Sequence, residues 1–140
     1  MSVLVVDDHP AQRAYARCVF EALGCEVFEA ADGIEGVGLA DLQRFDLILM
    51  DRYMPRCDGD MATRRIRTGD GPSASAVILC HSVEPPPGQA AALYDRFIAK
   101  PITTYQVLDL IPGKPKPQRF KFDVRVRTAP TRVRRTRAAR

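Results

Sequence analysis

At 140 residues, with 46% apolar side chains, the chain is one domain with an ordinary core and at most a short appendage. No apolar run is long enough to span a membrane. Met1-Ser2 leads straight into a strand-like run rather than a signal peptide, which points to a cytoplasmic protein. The net charge of +4 hides two bodies of opposite sign: Pro112 to Arg140 carries eleven Lys/Arg against Asp123 alone, or +10, which leaves residues 1–111 at −6.

Residues 1–111 alternate strand and helix. Val3-Leu4-Val5-Val6 is a buried strand ending in Asp7-Asp8, and Pro10 suits the first turn of a helix. Ala14, Cys18, Val19, Ala22 and Leu23 share an apolar face on that helix, which Gly24 stops. Residues 25–30 form a second strand. Asp32-Gly33 opens a second helix carrying Ile34, Val37, Leu39 and Leu42. The run Leu47-Ile48-Leu49-Met50 has no helical spacing and reads as a strand buried on both faces, ending in Asp51. Pro55 and the turn pair Asp58-Gly59 then lead to a third helix with Met61, Arg64, Arg65 and Ile66. Ala76 to Cys80 is a fourth strand, followed after three prolines by a weak helix around Gln89–Tyr94. Arg96 to Ala99 is a fifth strand ending at Lys100-Pro101. Thr103 or Thr104 caps a last helix reaching Ile111.

Five strands alternating with five helices predict an α/β fold, a doubly wound five-stranded parallel sheet. All strands then point their carboxyl ends at one edge, where such sheets bind ligands. That edge receives Asp7, Asp8, Asp51, His81 or Ser82, and Lys100. Three clustered carboxylates repel one another unless one is protonated or a cation sits among them. A hard divalent ion such as Mg²⁺, together with Lys100, would neutralise three aspartates and leave a pocket ready for a phosphoryl group. Asp51 is then the nucleophile, because carboxylates form aspartyl phosphates. Taken singly, Asp7-Asp8 would be a strand-to-helix turn and Asp51 a helix cap; their joint placement favours the site.

The segment from Val3 to Pro10, the segment from Asp46 to Gly59 with Asp51, Met54-Pro55 and Asp58-Gly59, and Lys100-Pro101 together resemble the receiver domain of bacterial two-component response regulators. The resemblance covers residues 1–111. It implies the flavodoxin-like strand order 2-1-3-4-5. It implies that Asp51 accepts a phosphoryl group from a sensor histidine kinase or phosphotransfer protein, with Mg²⁺ held by Asp7, Asp8, Asp51 and the backbone carbonyl of Tyr53. It further implies that Lys100 pairs with the phosphoryl oxygens and that Phe97 is the aromatic that swings inward on activation. Such a module is a phosphoacceptor that assists its own phosphorylation and dephosphorylation, not an enzyme acting on other substrates. A metal-dependent phosphatase is disfavoured because Tyr53, not an aspartate, stands two residues after Asp51.

The sequence departs from the family at the fourth strand. A hydroxyl residue is usual there, and the count along the strand puts His81 at that position; a shift of one residue would give Ser82 instead. The stretch Glu84-Pro85-Pro86-Pro87-Gly88 shortens the following helix, and Pro112 cuts the last one short. His9 reads as a solvated residue at a helix start, Arg64, Arg65 and Arg67 as a solvated face, and Arg52 as exposed. Cys18, Cys25, Cys57 and Cys80 form no CxxC pair and read as reduced thiols.

Residues 112–118 read as a Pro-rich linker and 119–140 as a basic C-terminal extension. Within it, residues 119–127 alternate apolar and mainly charged side chains, which predicts an amphipathic strand. A lone strand is not stable alone, so the segment is expected to add to a partner, as in a homodimer. The rival expectation is nucleic-acid binding through the basic charge, gated by the receiver.

Overall fold

The apolar runs form five parallel strands, β1 (Ser2–Val6), β2 (Glu26–Ala30), β3 (Leu47–Asp51), β4 (Val77–Ser82) and β5 (Arg96–Ala99). Their order is β2-β1-β3-β4-β5, the flavodoxin-like arrangement expected. The computed structural model describes residues 1–114. The strand expected at 119–127, the basic tail and most of the 112–118 linker lie outside the described residues.

Alternation along β1, β3 and β4 divides the core in two. Leu4, Val6, Ile48, Met50, Ile78 and Cys80 face α2 (Gly33–Leu42) and α3 (Gly59–Thr68), meeting Ala40, Ala62 and Ile66. Val3, Val5, Leu47, Leu49 and Leu79 face α1 (Pro10–Ala22) and α4 (Thr104–Val107), meeting Val19, Phe20 and Val107. The central strand β3 is buried throughout, as its unbroken apolar run predicts.

Two helix faces differ from expectation. On α1 the buried residues are Ala16, Val19 and Phe20, whereas Ala14, Cys18 and Ala22 are exposed. Phe20 decides this: burying a large side chain stabilises by roughly 1.5–3 kcal/mol, far more than small ones such as Ala14 and Ala22. On α2 the buried residues are Gly33, Gly36 and Ala40, while Ile34 and Leu42 are 54% and 83% exposed. The helix lies close to β1, so a Cβ on Gly36 would stand 3.0 Å from both methyls of Val6. Only small residues fit where the helix is closest to β1; Val37 and Leu39 pack partly buried against the core, and Ile34 and Leu42 turn outward.

The later crossovers are also leaner than expected. Among the described residues there are four α-helices, not five. Residues Gly88–Leu93 form a 3₁₀ turn in place of the weak fourth helix, since Pro85, Pro86 and Pro87 leave no donors to start an α-helix. The last helix is α-helical only over Thr104–Val107 and continues as a 3₁₀ turn, Leu108–Leu110. Thr103 is its N-cap residue, and the Gln106 side chain accepts from the Thr103 backbone N–H at 2.7 Å.

Candidate functional site

The carboxyl edge gathers the residues the sequence assigned to it. β1 ends before Asp7 and Asp8, β3 ends in Asp51, and β5 ends before Lys100. Asp51 and Asp7 are each 2% exposed. Lys100 crosses the edge to join them: its Nζ donates to Asp51 Oδ1 at 2.9 Å and lies 3.6 Å from Asp7 Oδ2. A third partner, Gln12 Oε1, accepts from the same ammonium at 2.8 Å. Sequence reasoning missed Gln12, although its place one turn into the helix after Asp8 is a usable signal.

The carboxylates keep lone pairs free. Asp7 Oδ1 accepts from the His9 backbone N–H at 2.8 Å. Asp7 Oδ2, Asp8 Oδ1 and Asp51 Oδ2 accept no hydrogen bond from any described residue. Burial raises the Asp51 carboxyl above its usual range; the Lys100 bond opposes the rise and the charge of Asp7 adds to it. Ligand atoms of Asp7, Asp8, His9 and Asp51 lie within 4.8 Å of one another, so these four could hold a metal ion. Unpaired, buried carboxylate oxygens fit a hard divalent cation.

His81 stands opposite Asp51 in the β3–β4 register, and Ser82 stands opposite Ala99 on β5. The register therefore aligns His81, rather than Ser82, with Asp51. His81 is 3% exposed, with Nε2 unpaired, and burial followed by the charge of Lys100 pushes its pKa down to about 4. The Ser82 hydroxyl is also buried and unpaired. Beside the site opens a cleft of about 550 Å³, lined by Ala11, Tyr15, Val83, Pro101 and Ile102 around His81 and Lys100.

Other residues depart from expectation. Arg52 is not exposed: it pairs with Asp60 at 3.2 Å and stacks over the Tyr53 ring. Tyr94 donates to the same carboxylate at 2.7 Å, tying the segment before β5 to α3. Burial, then the Asp60 bond, raises the Tyr94 phenol pKa. Arg67 is not a solvated residue either, since it pairs with Asp95 at 2.6 Å. Tyr53 has an exposed ring, and Phe97 is half-buried against the core face that meets α2 and α3. All four cysteines are free thiols.

A family model, the response regulator receiver domain, matches residues 3–111. The chain belongs to that family. The match ends at Ile111, the last core residue. The sensor protein EvgS of Escherichia coli K12 is 37% identical over 67 residues, covering 48% of this chain and only 6% of that protein. The protein PilH of Pseudomonas aeruginosa is 36% identical over 77 residues, covering 55% of this chain and 64% of PilH. Among solved structures, the receiver domain of the sensor histidine kinase PA1611 from Pseudomonas aeruginosa PAO1 aligns with a TM-score of 0.70 at 29% identity. That alignment covers 79% of this chain and 93% of that domain, which holds a magnesium ion coordinated in its active-site cleft. Solved structures similar to this chain thus include a receiver domain of a sensor histidine kinase and a chemotaxis response regulator. Among the described residues no helix is long and apolar enough to cross a membrane.

Proposed function

We propose that this receiver accepts a phosphoryl group on Asp51 from the phosphohistidine of a sensor histidine kinase or phosphotransfer protein, in a Mg²⁺-dependent reaction. The observation that carries the reading is the asymmetry of the Asp51 carboxylate. One oxygen is held by Lys100 at 2.9 Å, while the other is unpaired among Asp7 and Asp8. In the transfer, one oxygen of the Asp51 carboxylate attacks phosphorus as the phosphorus–nitrogen bond to the donor imidazole breaks, and the departing nitrogen keeps the electron pair. Asp7, Asp8, Asp51 and the Tyr53 carbonyl would hold Mg²⁺, which when bound offsets the charge of the carboxylates and the phosphoryl oxygens. Lys100, held on Asp51 Oδ1, would add a further positive charge. The cleft lined by His81 and Lys100 lies beside the ammonium that holds Asp51 and would be a place for the donor to dock.

His81 would replace the usual hydroxyl as the contact to a phosphoryl oxygen, donating from a neutral imidazole ring. Ser82 is the alternative donor. Either contact would draw on the end of β4 and bias Phe97 on the neighbouring strand, changing the surface offered to a protein partner. On this reading the chain is a phosphoacceptor and not an enzyme acting on other substrates. A second reading, in which the receiver gates nucleic-acid binding by the extension, is favoured by the charge of +10 in residues 112–140. A homodimer through residues 119–127 is the other role open to that segment.

Intact mass after incubation with a small phosphodonor and Mg²⁺ tests the principal reading. Wild type should gain one hydroxylamine-labile phosphoryl group only with the divalent ion, and Asp51→Asn should gain none. Equal modification of Asp51→Asn would sink it.

A further inference from the structure

The carboxylate cluster has a nitrogen-bearing neighbour that the phosphoacceptor reading leaves unused. His9 is the N-cap residue of α1, directly after Asp7 and Asp8. Its side chain is 64% exposed, yet Nδ1 turns toward the acids, 3.0 Å from Asp8 Oδ1 and 3.6 Å from Asp7 Oδ1. At 3.0 Å the ring nitrogen is at ion-pair distance from Asp8, inside the group of ligand atoms formed with Asp7 and Asp51.

That separation also suits two ligands of one shared metal. Neighbouring ligands held about 2.1 Å from an octahedral ion, at right angles, are about 3 Å apart. A second, independent observation points to the same centre. Asp51 is 2% exposed, and its Oδ2 is unpaired within the same cluster of ligand atoms.

We propose that His9 is a nitrogen ligand of this site and raises its affinity for first-row transition ions of the cobalt, nickel and zinc class relative to Mg²⁺. The inference extends the Mg²⁺ reading above and rests on it. Imidazole favours these borderline ions, whereas Mg²⁺ prefers oxygen and gains little from a nitrogen. The His9 ring is a surface group, so removing it leaves the core intact and leaves the backbone N–H on Asp7 Oδ1 in place. The competing account of the same distances is a protonated His9 acting as an ion-pair partner of Asp8. A cation in that role competes with every metal alike, so its removal would strengthen Mg²⁺ and Co²⁺ binding by the same factor.

Calorimetric titration of the full chain with MgCl₂ and with CoCl₂ separates the two, comparing wild type with His9→Ala and His9→Gln. Both variants should lose Co²⁺ affinity by roughly tenfold or more, with Mg²⁺ affinity changed by less than about twofold. Pulsed electron paramagnetic resonance of the Mn²⁺-loaded wild type should show coupling to an imidazole nitrogen that both variants lack. Unchanged circular dichroism without metal verifies that the variants are folded. Equal shifts for Mg²⁺ and Co²⁺, or no nitrogen coupling in wild type, would overturn the role of His9 while leaving the Mg²⁺ site standing. Failure of wild type to bind either ion would overturn both readings.

Discussion

His81 shares a sheet register with the acceptor Asp51, and its charge state decides what it can offer a phosphoryl group. Burial lowers its pKa from 6.5 to about 4, so the ring is neutral at neutral pH. A depressed folded-state pKa means that the unfolded chain binds the proton more readily. The stability linked to His81 is therefore fully present above about pH 6.5 and is lost as pH falls toward 4. Full expression of that shift is worth about 3 kcal/mol at most. Asp51 has the opposite sign: its raised pKa contributes stability present below the ordinary carboxylate range and lost as pH rises through the folded value. The comparison of wild type with His81→Gln, in chelator, isolates the imidazole. Urea unfolding should show wild type losing on the order of 1–3 kcal/mol more than His81→Gln between pH 6.5 and pH 4. Parallel profiles would mean that folding leaves the His81 pKa unshifted, which removes burial as the cause of a neutral ring. The placement of the candidate site residues on one edge was legible in the sequence because β1, β3 and β5 each end at or just before a carboxylate or a lysine. The partners of Arg52, Arg67 and Tyr94 were not, since their ion pair and hydrogen bonds join residues 8, 28 and 34 positions apart.

At the scale of elements, the strands were legible and the helix faces were less so. A buried strand announces itself by an unbroken apolar run, as 47–50 does. A helix face depends on how close the helix lies to the sheet, which periodicity does not encode. The contrast between two glycines makes the point testable. Gly59 opens α3 directly beneath the acceptor strand: a Cβ there would run into the Asp51 carbonyl and stand 2.8 Å from the Arg52 Cα. Both obstacles are backbone, which cannot rotate away. Gly59→Ala should destabilise the protein by about 1–3 kcal/mol through overpacking, and should slow phosphorylation by displacing Asp51. Gly38, in the middle of α2, has nothing within 4 Å of its Cβ position. Gly38→Ala should stabilise by about 0.5–1 kcal/mol, the difference in helix propensity, without touching the site. Chemical denaturation of both variants checks the pair, and a neutral Gly59→Ala would show that α3 can draw back from β3 at no cost. The missing fourth helix belongs to the same lesson: three prolines signalled a weak start, but not that the whole crossover would tighten to a 3₁₀ turn.

For the whole molecule, charge and core divide the chain at nearly the same point. Both core clusters of the described residues are complete by Ile111, which packs in the same cluster as Val19 and Phe20 of α1. The residues that follow carry +10, against −6 for residues 1–111. A receiver whose core is complete without the extension should fold without it. Truncation after Lys114 should therefore leave the urea midpoint and the Asp51 phosphorylation level unchanged. The electrostatics should not survive the cut. The full chain is positive, while the truncated chain is acidic, with a net charge of −5 once Lys114 is included. Binding to a short DNA duplex would then be confined to the full chain and would weaken steeply with salt, because each neutralised phosphate releases a condensed counterion. Strand addition predicts a different dependence: the full chain would be dimeric by light scattering and the truncated chain monomeric, with little response to salt because apolar burial drives the pairing. A monomeric full chain whose DNA affinity falls with salt would select the nucleic-acid role. A dimer that ignores DNA would select self-association. A truncated chain that unfolds more readily than the whole would show that the extension packs on the receiver and that the core does not close at Ile111.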